Sequence, residues 1–186
     1  MKKRQRMNVM SLILATVCTC VFSADAQDKA PAIPDSSIAA LETKIRDQIK
    51  GTSAARKKLA FRRVIREAES LIKKHPSASN RYEALSILFR SQQLLVSLDN
   101  SVTNRDAFLA TSEKLAAAPN EYAAIRLDAD LLLTQARSAR QGGDSHARSD
   151  ALRPLVKRYQ DTEVEAKVIR IAMIMALELG NTKLVN

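Results

Sequence analysis

The sequence predicts an all-α protein of about seven helices in stacked antiparallel hairpins, an α-solenoid-like array, and three observations predict it. Strong helix formers (Ala, Leu, Arg, Lys, Glu and Gln) are plentiful, whereas the 186 residues hold 4 Gly, 5 Pro, no Trp and 4% aromatics. The four glycines, Gly51, Gly142, Gly143 and Gly180, fall where amphipathic runs stop and interrupt none of them. A helix–turn–helix pattern recurs with its turns at Pro76, Pro119 and Gln160, 43 and 41 residues apart. That period suits paired-helix repeats rather than strands and crossovers.

Taken in order, residues 1–26 read as an export signal. Lys2, Lys3, Arg4 and Arg6 form a basic start, an apolar run of 14 residues extends from Val9 to Phe22, and Ala24-Asp25-Ala26 supplies the small residues before a cut. Cleavage is expected between Ala26 and Gln27, giving a periplasmic or secreted protein. The apolar run is short of the roughly 20 residues needed to cross a bilayer, so no transmembrane span is expected in the mature chain. Removing 26 of the 186 residues leaves 160, enough for one domain with a real core. Residues 27–35, with Pro31 and Pro34 and no apolar periodicity, read as an extended linker, and 36–186 as the helical repeat domain.

Helices are expected at 36–50, 53–74, 80–98, 104–118, 120–141, 145–159 and 163–179. Phe61, Val64, Ile65, Ala68, Leu71 and Ile72 make one apolar stripe in the second, and Leu85, Leu88, Phe89, Gln92 and Leu95 make another in the third. Asn80, Asn104 and Asn120 stand just ahead of helical runs, where a short side-chain oxygen can accept a free first-turn N–H. The repeat places Leu71-Ile72-Lys73-Lys74-His75-Pro76-Ser77 in register with Leu155-Val156-Lys157-Arg158-Tyr159-Gln160-Asp161. A weaker copy runs from Glu113 through Pro119-Asn120 to Tyr122-Ala123-Ala124. The result is three stacked hairpins behind one leading helix. Gly180-Asn181-Thr182-Lys183-Leu184-Val185 reads as the opening of another turn just before Asn186, as in a longer protein truncated there.

A helix ending in a basic pair, an aromatic or His, then Pro or Gln, a polar turn and a helix with early alanine resembles the tetratricopeptide-like repeats of bacterial envelope proteins. The period of about 42 exceeds the 34 of that family, and its Trp, Gly and Tyr landmarks are missing, which makes the resemblance that of a divergent α-α hairpin array. Leu59 to Gly180 also resembles the helical regions ahead of thioredoxin-like domains in some exported bacterial proteins, without a redox motif. Protein or peptide binding is what the first resemblance implies.

Composition excludes much chemistry. Cys18 and Cys20 both lie in the leader, and neither follows the small residue that lipoprotein processing needs, so the exported body has no thiol for a disulfide, a metal or catalysis. The leader also removes four positive charges and one negative from the formal net charge of +10, leaving +7. His75 and His146 are the two histidines and both read as solvent-facing turn residues. No metal-ligand spacing, Gly-rich phosphate loop, nucleophile elbow or dinucleotide fingerprint occurs, so catalytic residues, cofactors and metals are all expected to be none.

Two polar groups remain. Asp130 lies on the helix side of Leu127, Leu131 and Thr134, with Arg126 one turn back, and Asp128, Arg90, Arg105, Gln92 and Gln93 are candidates for the same polar seam. It reads either as an acidic contact in a ligand groove, or one carboxylate of an acid/base pair, or as an interhelical ion pair that fixes hairpin stacking. The second helix is basic, and Arg62, Arg63 and Arg66 are its candidate anion-binding face, for an anionic polymer or membrane surface, against the alternative of a solvated face. Without aromatic interleaving, nucleic acid is not an expected partner. Tyr82, Tyr122 and Tyr159 sit near turns, where a ring packs on the next hairpin and the hydroxyl stays wet.

Three functions fit this pattern. The first is an exported, non-enzymatic scaffold binding a protein or peptide in the cell envelope. The second is the helical front part of a longer thioredoxin-like or other envelope enzyme, and the third a binder of anionic envelope polymers through helix 53–74.

Overall fold

A computed structural model describes residues 31–49, 53–140 and 151–178. The described residues form seven α-helices and no strand: α1 (Asp35–Ile49), α2 (Ala54–Lys74), α3 (Arg81–Leu98), α4 (Val102–Ala116), α5 (Ala123–Arg140), α6 (Leu152–Arg158) and α7 (Glu165–Glu178). A single 3-10 turn, Asn120–Tyr122, leads into α5. The expected leader, the four glycines, His146 and the start expected for the sixth helix lie outside the described residues.

Local chemistry sets the ends. Ser53 Oγ accepts from Arg56 N at 3.4 Å to cap α2, and Lys73 and Lys74 place positive charge at its C-terminal dipole. His75 follows as the C-cap and donates its backbone N–H to the Leu71 carbonyl. In α6, Pro154 is tolerated because it falls in the first turn, whose N–H groups have no intrahelical partner. Asp161 adopts φ 61° in the turn to α7, a left-handed conformation that Asp accepts more readily than most residues, and donates its N–H to Glu165 Oε2 at 2.9 Å.

None of the three asparagines caps a helix with its side chain. Ser101, not Asn104, caps α4, and Asn104 Nδ2 instead donates to the Asp99 carbonyl at 2.8 Å. Asn120 enters the 3-10 turn and accepts from Arg126 Nη2 at 2.9 Å. Asn80 is at the N-cap of α3, but its side chain is spent elsewhere: Oδ1 accepts from Ile33 N at 2.8 Å and Nδ2 donates to Ile33 O at 2.9 Å. That pairing draws the end of the expected linker into the fold, and Ile33 is 1% exposed. The core therefore begins at Ile33, two residues inside the segment read as a tether, because a lone apolar residue between prolines gives no periodicity to detect. Asn80→Ala is expected to lower unfolding free energy by about 2 kcal/mol, since both Ile33 backbone groups lose their partner in a part-buried place. A urea midpoint unchanged at constant slope would contradict this.

Consecutive helices pack as neighbours from α1 to α5, and α6 packs on both α5 and α7. The odd-numbered helices α1, α3 and α5 also touch in succession, while no comparable contact joins α2 to α4. The first five helices thus form two layers, with α2 and α4 standing side by side over α3. Phe89 and Phe108 join α3 to α4 through rings 4.8 Å apart. Turns of successive hairpins are also tied. The Tyr82 and Tyr122 rings lie 5.2 Å apart, Tyr122 donates its hydroxyl to Ser79 O at 2.7 Å, and Arg158 Nη2 donates to Ala116 O. The last two bonds span 43 and 42 residues.

Two hydrophobic clusters result. The larger gathers Ile33, Ile38, Leu41 and Ile45 with Phe61, Val64, Leu85, Leu88, Phe108 and Leu115. The smaller gathers Leu127, Leu152, Leu155, Tyr159, Val168 and Ala172. Helix α5 serves both: Ile125, Ala129 and Leu132 face the first, and Ala123, Leu127 and Leu131 face the second.

Candidate functional site

The polar residues of α5 form a buried junction rather than an open groove. Asp130 is 5% exposed, and its Oδ1 accepts from Arg158 Nη1 at 2.8 Å while Oδ2 accepts from the Tyr159 hydroxyl at 2.7 Å. Arg126, one turn earlier and equally buried, has Nε 3.9 Å from Oδ2 and lays its guanidinium 4.9 Å from the Tyr159 ring centre. Its Nη1 donates to Ala118 O at 2.6 Å and its Nη2 to Asn120 Oδ1. Arg126 and Arg158 together thus satisfy the Ala118 carbonyl in the turn after α4 and the Ala116 carbonyl at its end, which an α-helix leaves without a partner. Asp130 is the shared counter-charge of both cations, so the group joins α4, α5 and α6.

Of the seven seam candidates, the structure brings together Arg126 and Asp130. Asp128 is exposed on the opposite side of α5. Arg90 faces solvent beside Glu42, Ile45 and Arg46, and Arg105 bonds Asn100 Oδ1 at 3.5 Å from an exposed position. Arg158 completes the junction at a range of 28 residues, which helical spacing cannot report. Its one sequence signal is its place in the repeat, where Lys74 stands in the earlier copy. A guanidinium can reach a carboxylate and a carbonyl at once, as an ammonium cannot.

Tyr159 departs from the wet-hydroxyl expectation. It is fully buried, and burial, then the hydrogen bond to Asp130 and its negative charge, push the phenol well above its ordinary value of 10.0, against the opposing pull of Arg126. Tyr122 is raised too, by desolvation first and then by the charges of Glu121 and Glu83. For Tyr159 the folded state holds the proton more tightly than the unfolded chain. Its contribution is therefore whole below the unfolded value near pH 10 and is lost as pH climbs from there toward the folded value. Phenolate absorbance from Tyr159 is expected only together with loss of helical circular dichroism. Tyr159→Phe should remove that component and flatten the stability curve above about pH 10.

The basic face of α2 is partly engaged. Arg62 Nη2 lies 3.3 Å and Lys58 Nζ 3.7 Å from Asp99 Oδ2. Arg63 and Arg66 are exposed and make no ion pair among the described residues. Arg62 and Arg66, four residues apart, line a cavity of about 220 Å³ between α2 and α4, with Ile65 and Glu69 on the same wall, Asn104 and Ala107 opposite, and Gln92 and Leu95 of α3 as the floor. Gln92 is 4% exposed and its Oε1 has no hydrogen-bond partner among the described residues. Its sequence signal is a polar residue inside the apolar stripe of α3.

Other hollows lie elsewhere among the described residues. One of about 270 Å³ lies beside the junction, between Thr134 and Arg137 of α5 and Pro154 and Arg158 of α6. Another of about 350 Å³ lies between α6 and α7 next to Ile169 and Met173, and α7 also exposes Ile174 and Leu177. Among the described residues no group of three or more His, Cys, Asp or Glu could hold a metal ion, and no helix is long and apolar enough to cross a membrane. No known protein family, curated protein or solved structure matches the chain.

Proposed function

We propose that this chain is an exported, non-enzymatic helical scaffold that binds a protein or peptide partner in the cell envelope. The observation that carries the reading is the groove between α2 and α4, where exposed arginines border a floor containing an unpartnered buried amide carbonyl. A buried acceptor without a donor is costly unless something supplies the donor. Side-by-side helices over a third form the kind of trough in which stacked hairpins hold peptides. The leader-like residues 1–26, with a cut between Ala26 and Gln27, support an extracytoplasmic site of action.

A photo-crosslinking amino acid at the exposed groove position Ala107 tests this, with Thr43 on α1 as control. Specific adducts from envelope extract are expected from Ala107 alone. Equal labelling from both positions, or from neither, would remove the reading.

Arg63 and Arg66, exposed and without an ion pair among the described residues, favour one other reading, an anionic envelope polymer held by α2. Such binding is electrostatic and should vanish at high salt, where screening shortens to a few ångströms.

A further inference from the structure

We infer that the α2–α4 groove takes an extended acidic peptide segment, whose Asp or Glu carboxylate meets Arg66 while a neighbouring backbone N–H donates to Gln92 Oε1. The inference rests on the scaffold reading above and names the chemistry of its partner.

Each half of the ligand is argued from a different residue. Arg66 is exposed at the groove wall and has no ion pair among the described residues, unlike Arg62, whose charge is already shared with Asp99. A planar guanidinium in that state suits a carboxylate, which it can grip through two parallel N–H bonds. Gln92 supplies the opposite need. It lines the cavity and its carbonyl oxygen is buried without a donor among the described residues, and the last torsion of a glutamine side chain is broad, so rotation about it can turn that oxygen toward the cavity. The ligand must therefore bring both an anion and a hydrogen-bond donor. A peptide backbone carries an N–H at every residue but proline, beside the carboxylates of its acidic side chains.

The remaining lining agrees. Ile65, Leu95 and Ala107 give apolar contact for a peptide backbone, and Asn104 adds a polar side chain at the opposite wall. Glu69 shares the wall with Arg66 and disfavours a second acidic side chain at its own level, which selects spaced rather than consecutive acids.

The test uses the full chain and fluorescence anisotropy with defined probes. An N-acetylated, C-amidated peptide alternating alanine and glutamate should bind, and its glutamine counterpart should not. Arg66→Gln should weaken binding by at least about tenfold, through loss of the charge-assisted contact with the carboxylate. Gln92→Leu should weaken it by about fivefold while raising the melting temperature, because an orphaned buried acceptor is removed. That opposite movement of affinity and stability separates a ligand contact from a packing role. Equal affinity of the glutamine peptide, unchanged affinity in either variant, or binding confined to an alanine peptide with a free C-terminal carboxylate would overturn the inference. Equal competition by polygalacturonate, which offers carboxylates without amide N–H groups, would also overturn it in favour of a polymer. Should the glutamate peptide fail while Ala107 still gives specific adducts, the acidic-peptide inference falls and the scaffold reading stands.

Discussion

Asp130→Ala is expected to lower unfolding free energy by about 3 kcal/mol. The carboxylate is the common acceptor of Arg158 and Tyr159 and the counter-charge of Arg126. Removing it leaves the 3%-exposed Arg126 as a buried cation whose Nε has no hydrogen-bond partner among the described residues, and strands the Tyr159 hydroxyl in the smaller core. Breaking such a group from one side typically costs 3–5 kcal/mol. The lower end applies because the Arg158 side chain is 40% exposed and water takes back part of its charge. For a chain of this size the melting temperature should fall by roughly 10 °C. Asp130→Asn keeps an acceptor for Tyr159 while losing the charge, and should fall between wild type and alanine. A loss below about 1 kcal/mol in Asp130→Ala would show that the junction is not a structural lock.

Phe61→Ala should destabilise by about 3–5 kcal/mol, through a different mechanism. Phe61 is 2% exposed and lies in the larger cluster with Val64 and Ala68 of its own helix and the apolar faces of α1 and α3. Deleting the ring removes its transfer free energy and leaves a void that packed helices fill only in part. Phe61→Leu should recover more than half of the loss, since most of the volume returns. Denaturant midpoints of the three proteins at constant slope provide the check, and equal losses for alanine and leucine would exclude a cavity origin.

Periodicity made the helices legible where the apolar stripe was long. The expected 53–74 and 80–98 became Ala54–Lys74 and Arg81–Leu98, because stripes through Phe61, Val64 and Ala68 and through Leu85, Leu88 and Phe89 fix which face is buried. At α4 the start moved two residues toward the N-terminus. Ser101 and Asn104 both carry capping chemistry, and only the fold decides that Asn104 is drawn to the Asp99 carbonyl.

The candidate site was legible only as far as one helix reaches. Arg126 and Asp130 pair across a single turn, which spacing reports directly. Arg90 and Arg105 were grouped with them because helical phase says that a residue faces inward or outward but not which neighbour it meets. Tyr159 contacts Asp130 across 29 residues and a turn, and nothing local encodes that meeting. The groove floor was half visible. Gln92 stood out as a polar residue in an apolar stripe, but its missing partner is a tertiary fact.

Because α5 lends one flank to each hydrophobic cluster, the helices on its two sides need not melt together. The pair α6 and α7 is held by the smaller cluster and by the charged junction, while α1 to α4 share the larger one. Among the described residues, the contacts between them run through α5 and through the junction that also holds the end of α4. Amide hydrogen exchange that opens α6 and α7 ahead of α1 to α4 is the expected sign of such a division, like two rooms that share a party wall.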